Sequence, residues 1–148
     1  APKGPVKNRP NWNSEGLLGE TAQFGSIDQL KGIRPEQQKQ ITRYRRLLLK
    51  KLRAYEKRFP ERLGLIHADL HFGNLLWLKS KEFAAIDFDD CGFGFYAYDL
   101  VMPIISLELG LGKRRKKDWP RFRAKLIEGY KTQRPWDAHD DEILKHLL

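Results

Sequence analysis

Three side chains that can move a proton or hold a cation stand at the ends of two apolar runs. The first run, Leu65-Ile66, leads into His67-x-Asp69-x4-Asn74. The second, Phe83-Ala84-Ala85-Ile86, ends in Asp87-Phe88-Asp89-Asp90. A carboxylate aimed at a hydroxyl, together with oxygen ligands for magnesium, is what phosphoryl transfer asks of a protein. The same stretch admits a second chemistry. His67, Asp69 and His71 alternate, and with Asp87 they could cage zinc or manganese in a metal-dependent hydrolase. That alternative leaves Asn74 and Asp99 without a role.

These residues need elements to position them. Residues 1–34 carry scattered Pro and Gly without periodicity and read as a linker or irregular segment. From Pro35 to Phe59, Ile41, Tyr44, Leu48, Leu52, Tyr55 and Phe59 recur at three- and four-residue steps, which predicts one helix with a single buried face. Pro60 ends it. Leu63–Ile66 reads as a short strand, and Leu75–Leu78 and Phe83–Phe88 as a hairpin joined at Lys79–Lys81. Gly92 and Gly94 mark a loop. Tyr98–Leu109 predicts a buried helix, with Pro103 moving its start toward Met102. Asp118 is the expected N-cap of a helix through about Gln133 that buries Trp119, Phe122, Leu126, Ile127 and Tyr130. Asp137 is the expected cap of a last helix with Ile143, Leu144 and Leu147 inward.

The chain of 148 residues is about one domain in size, with 41% hydrophobic and 32% charged residues. Its net charge of +9 is uneven: residues 61–112 hold 3 basic and 8 acidic groups, an acidic island between basic flanks. Carboxylates gathered in one place suggest cation binding there. The basic groups Arg43, Arg45, Arg46, Lys50, Lys51 and Lys113–Lys117, with Trp119 beside the last run, would suit a nucleic-acid-binding module, but solvated helix faces account for them more simply. No apolar run is long enough for a membrane span, and no signal-peptide pattern opens the chain. The single cysteine, Cys91, excludes an internal disulfide and fits a cytoplasmic setting.

His67-Ala68-Asp69-Leu70-His71-Phe72-Gly73-Asn74, then Ile86-Asp87-Phe88-Asp89-Asp90, then Tyr98-Asp99-Leu100, resembles the C-terminal lobe of the aminoglycoside phosphotransferase family. These are small-molecule kinases with a protein-kinase-like fold. The resemblance covers roughly residues 35–148, and Asp69 and Asn74 have the spacing of a kinase catalytic loop. It implies an α+β, mainly helical lobe with a small β-hairpin carrying the catalytic and metal loops. It also implies roles. Asp69 would take the proton of the acceptor hydroxyl, and Asn74 and Asp87 would hold Mg2+ on ATP. His67 would brace the loop, and Asp99 would tie it down from behind. Leu76 and Ile86 would floor the adenine. His71 stands where protein kinases often place a lysine near the transferred phosphate.

The chain has no G-x-G-x-x-G and no apolar strand ending in lysine ahead of residue 35. The expectation is therefore a C-terminal catalytic lobe, at residues 35–148, without its N-terminal lobe. Its partners would be that missing lobe and a small-molecule hydroxyl acceptor, with a protein Ser/Thr hydroxyl left open. Alone, it would be inactive, and its uncovered apolar surface could drive self-association.

Overall fold

The computed structural model describes residues 7–26, 30–110 and 118–148, so the basic connector at 112–117 lies outside the described residues. The chain forms two compact units. One comprises Ala1–Ile66 with Cys91–Tyr96, the other His67–Asp90 with Ala97–Leu148.

The first unit is built on a three-stranded sheet in the order β1-β5-β2, with β1 at Asn11–Trp12, β2 at Leu63–Ile66 and β5 at Gly92–Phe95. β2 runs antiparallel to β5, and β1 runs parallel to it. The stretch read as irregular thus contributes a strand and a short helix, α1 (Ser14–Leu18), capped by Asn13, which accepts from the N–H groups of Glu15 and Gly16. Trp12 is buried, and that aromatic anchor orders a segment whose Gly and Pro content suggests a loop.

The loop expected at Gly92 and Gly94 is strand β5, buried along its whole length. Glycine is a poor strand former by propensity, but here it makes room. A Cβ at Gly92 would lie 2.1 Å from the Pro10 carbonyl oxygen, and one at Gly94 would lie 2.6 Å from the Trp12 Cβ. Gly92→Ala should therefore force backbone apart and lower stability by about 1–3 kcal/mol, as overpacking does. Urea denaturation checks this; an unchanged midpoint would show that β1 yields freely.

Helix α2 (Pro35–Arg58) starts at Pro35, and the Gln37 side chain accepts from the Arg34 N–H. Its expected continuous buried face is realised only toward its C-terminal end. Leu52 is fully buried, whereas Tyr44 is 70% exposed. The periodicity is helical throughout, but α2 packs on α1 and only part of its length has a neighbour within this unit.

Among the described residues the second unit carries a two-stranded hairpin, β3 (Leu75–Trp77) and β4 (Phe83–Ala85), and three α-helices. The hairpin is shorter than expected because Asp87 takes a left-handed backbone, φ 63°, which ends the extended run. Helix α3 (Tyr98–Gly110) begins at Tyr98, not near Met102, and keeps Pro103 inside it. Pro103 removes only the N–H that would reach back to the Asp99 carbonyl. Asp99 anchors that first turn through its carboxylate instead.

Helix α4 (Trp119–Lys131) starts without help from Asp118, whose backbone is already helical and whose side chain makes no capping bond. Pro120 in the first turn presets its φ. Helix α5 (Ala138–Leu147) is capped by Asp137, which accepts from the His139 N–H, while Asp140 bonds back to the Asp137 N–H. Leu100, Val101, Ile104 and Leu144 form the buried cluster, with Leu126, Ile127, Tyr130 and Leu147 packed against it. Each fully buried aliphatic side chain of this kind stabilises by roughly 1.5–3 kcal/mol. No helix among the described residues is long and apolar enough to cross a membrane.

Candidate active site

The site residues named from the sequence all lie in the second unit, from Ile66's successor His67 onward. Asp69 sits half-buried on the loop after His67. Asn74, buried in the short 3-10 turn Phe72–Asn74, points its amide back at it. Its Nδ2 donates to the Asp69 carbonyl oxygen at 2.9 Å and to Asp69 Oδ2 at 3.1 Å. With both amide hydrogens aimed there, Oδ1 is the side of Asn74 left for a cation. The Asn74 carbonyl in turn accepts from the Ile86 N–H at 3.0 Å, extending the hairpin ladder to the residue before Asp87.

Two further devices hold the loop. The Asp99 carboxylate accepts from the His67 N–H at 3.0 Å and the Ala68 N–H at 2.8 Å. Between them, Ala68 is held at φ 69°, a left-handed conformation unfavourable for any residue with a Cβ. His67 is buried, and its Nε2 lies 2.9 Å from the Ile86 carbonyl oxygen. A carbonyl only accepts, so the ring donates from Nε2. Its Nδ1 is buried without a partner. The ring lies 4.6 Å from that of Phe88. His67 therefore joins the Asp69 loop to the Asp87 loop.

His71 accepts the Gly73 N–H at Nδ1, 2.9 Å away, which leaves the proton on Nε2. That Nε2 faces Asp69 Oδ2 at 3.5 Å. Spacing assigns His71 a position but no contact; the structure brings it to Asp69. The zinc or manganese cage of His67, Asp69, His71 and Asp87 does not assemble. One nitrogen of each histidine is committed to backbone, and no group of three or more His, Cys, Asp or Glu among the described residues is arranged to hold a metal.

Burial of Asp99 pushes its carboxyl above the ordinary carboxylate range, against the opposing pull of the His67 and Ala68 N–H groups. Tyr98 stands in the Tyr98-Asp99-Leu100 motif without an expected role of its own. Burial first, and then the charges of Asp69, Asp90 and Asp99, hold its phenol above its usual pKa, so it stays neutral among three carboxylates. Its only sequence signal was its place beside Asp99. Leu76 and Ile86 are 46% and 39% exposed. Leu76 pairs with Ala84, so strand alternation puts Leu76, Ala84 and Ile86 on one face of the hairpin. Trp77 and Phe83 meet edge-on on the other, with ring centroids 4.7 Å apart.

This geometry accompanies a clear kinship. The phosphotransferase enzyme family matches the chain over residues 4–141, and the chain belongs to that family. It is 32% identical over 96 residues, 65% of its length, to amicoumacin kinase of Bacillus subtilis (strain 168). It is 33% identical, over 95% of its length and with a TM-score of 0.73, to the solved structure of a microcompartment-associated aminopropanol kinase. The match takes in 25% of the first relative and 42% of the second.

Proposed function

We propose that residues 35–148 are the C-terminal catalytic lobe of an enzyme that moves the γ-phosphate of ATP to a hydroxyl of a small molecule. The observation that carries this reading is the bond network of Asn74. Its side chain is tied to Asp69 and its backbone to Ile86, the residue before Asp87, so Asn74 links the loop that carries Asp69 to the strand end that leads into Asp87. The relatives are named as kinases of small molecules, which supports the same acceptor class.

Asp69 takes the proton as the acceptor oxygen bonds to phosphorus and the bond from phosphorus to the β–γ bridging oxygen breaks, releasing ADP. Asn74 Oδ1 and the exposed Asp87 carboxylate are hard oxygen donors of the kind magnesium takes when phosphates and water complete its shell. Bound there, magnesium would neutralise charge on the phosphates. The Nε2–H of His71 steadies Asp69 and the transferred phosphoryl oxygens. His67 and Asp99 position the two loops, and Leu76 and Ile86 offer an apolar floor to the adenine ring.

The test is magnesium-dependent ATP turnover by the full-length protein against a panel of hydroxylated small molecules. Asp87→Asn should raise the magnesium concentration needed for half-maximal rate by tenfold or more, on the order of one lost charge-assisted contact. Turnover indifferent to magnesium, or to Asp87→Asn, would end the proposal for these ligands.

A further inference from the structure

Helices α3 and α4 enclose a cleft of about 480 Å³ walled by Ile104, Leu107, Phe122 and Ile127, with Glu108 on the α3 side and Arg123 on the α4 side. That volume and that lining, mostly apolar with few polar groups, are those of a small-molecule pocket. One wall residue of the cleft, Phe122, touches the loop of the candidate base. The Phe122 ring meets Phe72 edge-on at 5.6 Å, and Phe72 follows His71, whose Nε2 faces Asp69.

We propose that this cleft holds the body of the acceptor, and that the acceptor is a small alcohol with a hydrocarbon body and at most one charged group. The proposal rests on the phosphotransferase reading above. A polyhydroxylated sugar would lose water from each hydroxyl against Ile104, Leu107 and Ile127, which offer no hydrogen bond in return. A hydrocarbon body loses nothing there. A single ammonium is matched by Glu108, and a single carboxylate by Arg123; a polycation finds one carboxylate only. Among the described residues neither Glu108 nor Arg123 forms an ion pair.

The experiment uses the full-length protein and a series of primary amino alcohols lengthened one methylene at a time. Both kcat/KM and, without nucleotide, the calorimetric Kd should improve about fourfold per methylene until the cleft is full, the value of burying one CH₂. Ala124 lines the cleft yet is exposed, so Ala124→Phe fills the space without removing core contacts. It should flatten both series, and the smaller Ala124→Leu should flatten them in part, which keeps the test if the Phe variant fails to fold. Lys125→Ala, outside the cleft, should keep the slope. An unchanged slope in both Ala124 variants, or sugars as the best acceptors, overturns the cleft assignment while transfer itself continues. Transfer to no alcohol, with the binding slope intact, instead overturns the phosphotransferase reading and with it the name acceptor for the ligand.

Discussion

Replacing Asp69 by Asn in the full-length protein is expected to lower kcat by about 10²–10⁴-fold, the usual worth of a positioned general base, with little change in KM for either substrate. Asn is the informative choice. It has the same shape, and its Oδ1 can still accept from Asn74 Nδ2, now 3.1 Å from Asp69 Oδ2. The backbone bond from Asn74 Nδ2 to the residue 69 carbonyl is untouched, so the loop should keep its course. What is lost is the ability to take a proton and the negative charge beside the incoming hydroxyl. An unchanged melting temperature would separate this chemical loss from a structural one. A variant that kept a tenth or more of the wild-type kcat would mean that Asp69 only orients the acceptor, or that another group takes the proton.

The residues that made this expectation possible were legible because their chemistry depends on spacing. A five-residue step from Asp69 to Asn74, across a short 3-10 turn, is enough to fold the amide back onto the carboxylate. Asp99 was legible as a partner from its resemblance, and the contact it makes is to backbone, which no spacing rule reveals. The left-handed backbone of Ala68 was not legible, since alanine does not announce φ > 0, whereas Asp87 is of a type that visits that region more readily. At Ala68 the bonds to the Asp99 carboxylate outweigh local preference. The same applies to β5. Gly-Phe-Gly-Phe carries loop chemistry in isolation, and becomes a strand only because Pro10 and Trp12 approach too closely for any side chain at the glycines. Pro103 inside α3 is a third case, in which Asp99 secures the turn that proline weakens. In α2 the period was right but burial was not, because periodicity marks a face and cannot say how much of it meets a neighbour.

Asp99→Ala is expected to lower stability by about 2–5 kcal/mol, because it orphans two backbone N–H groups at residues that are themselves buried, each worth about 1–3 kcal/mol when left unpaired. Ala68 would also be left in its left-handed conformation without support, so the loop should relax and Asp69 with it. Activity should therefore fall even at temperatures where the variant is folded. Asp99→Asn keeps one acceptor and should lose roughly half as much. The pH dependence separates the clamp from a simple ion effect. Burial is the largest influence on Asp99 and raises its pKa in the fold. The folded state then binds the proton more tightly than the unfolded state, where the value is about 3.9. Stability from this group is fully present below the unfolded value and is lost as pH rises through the raised folded value. The advantage of wild type over Asp99→Asn, read by urea denaturation from about pH 4 upward, should narrow with rising pH. An advantage that widened instead would mean that the two N–H bonds outweigh desolvation, and that the carboxylate is held for stability. The narrowing expected here implies that the clamp stabilises less when ionised than when protonated, while its two N–H bonds still set where His67, Ala68 and the base that follows them lie.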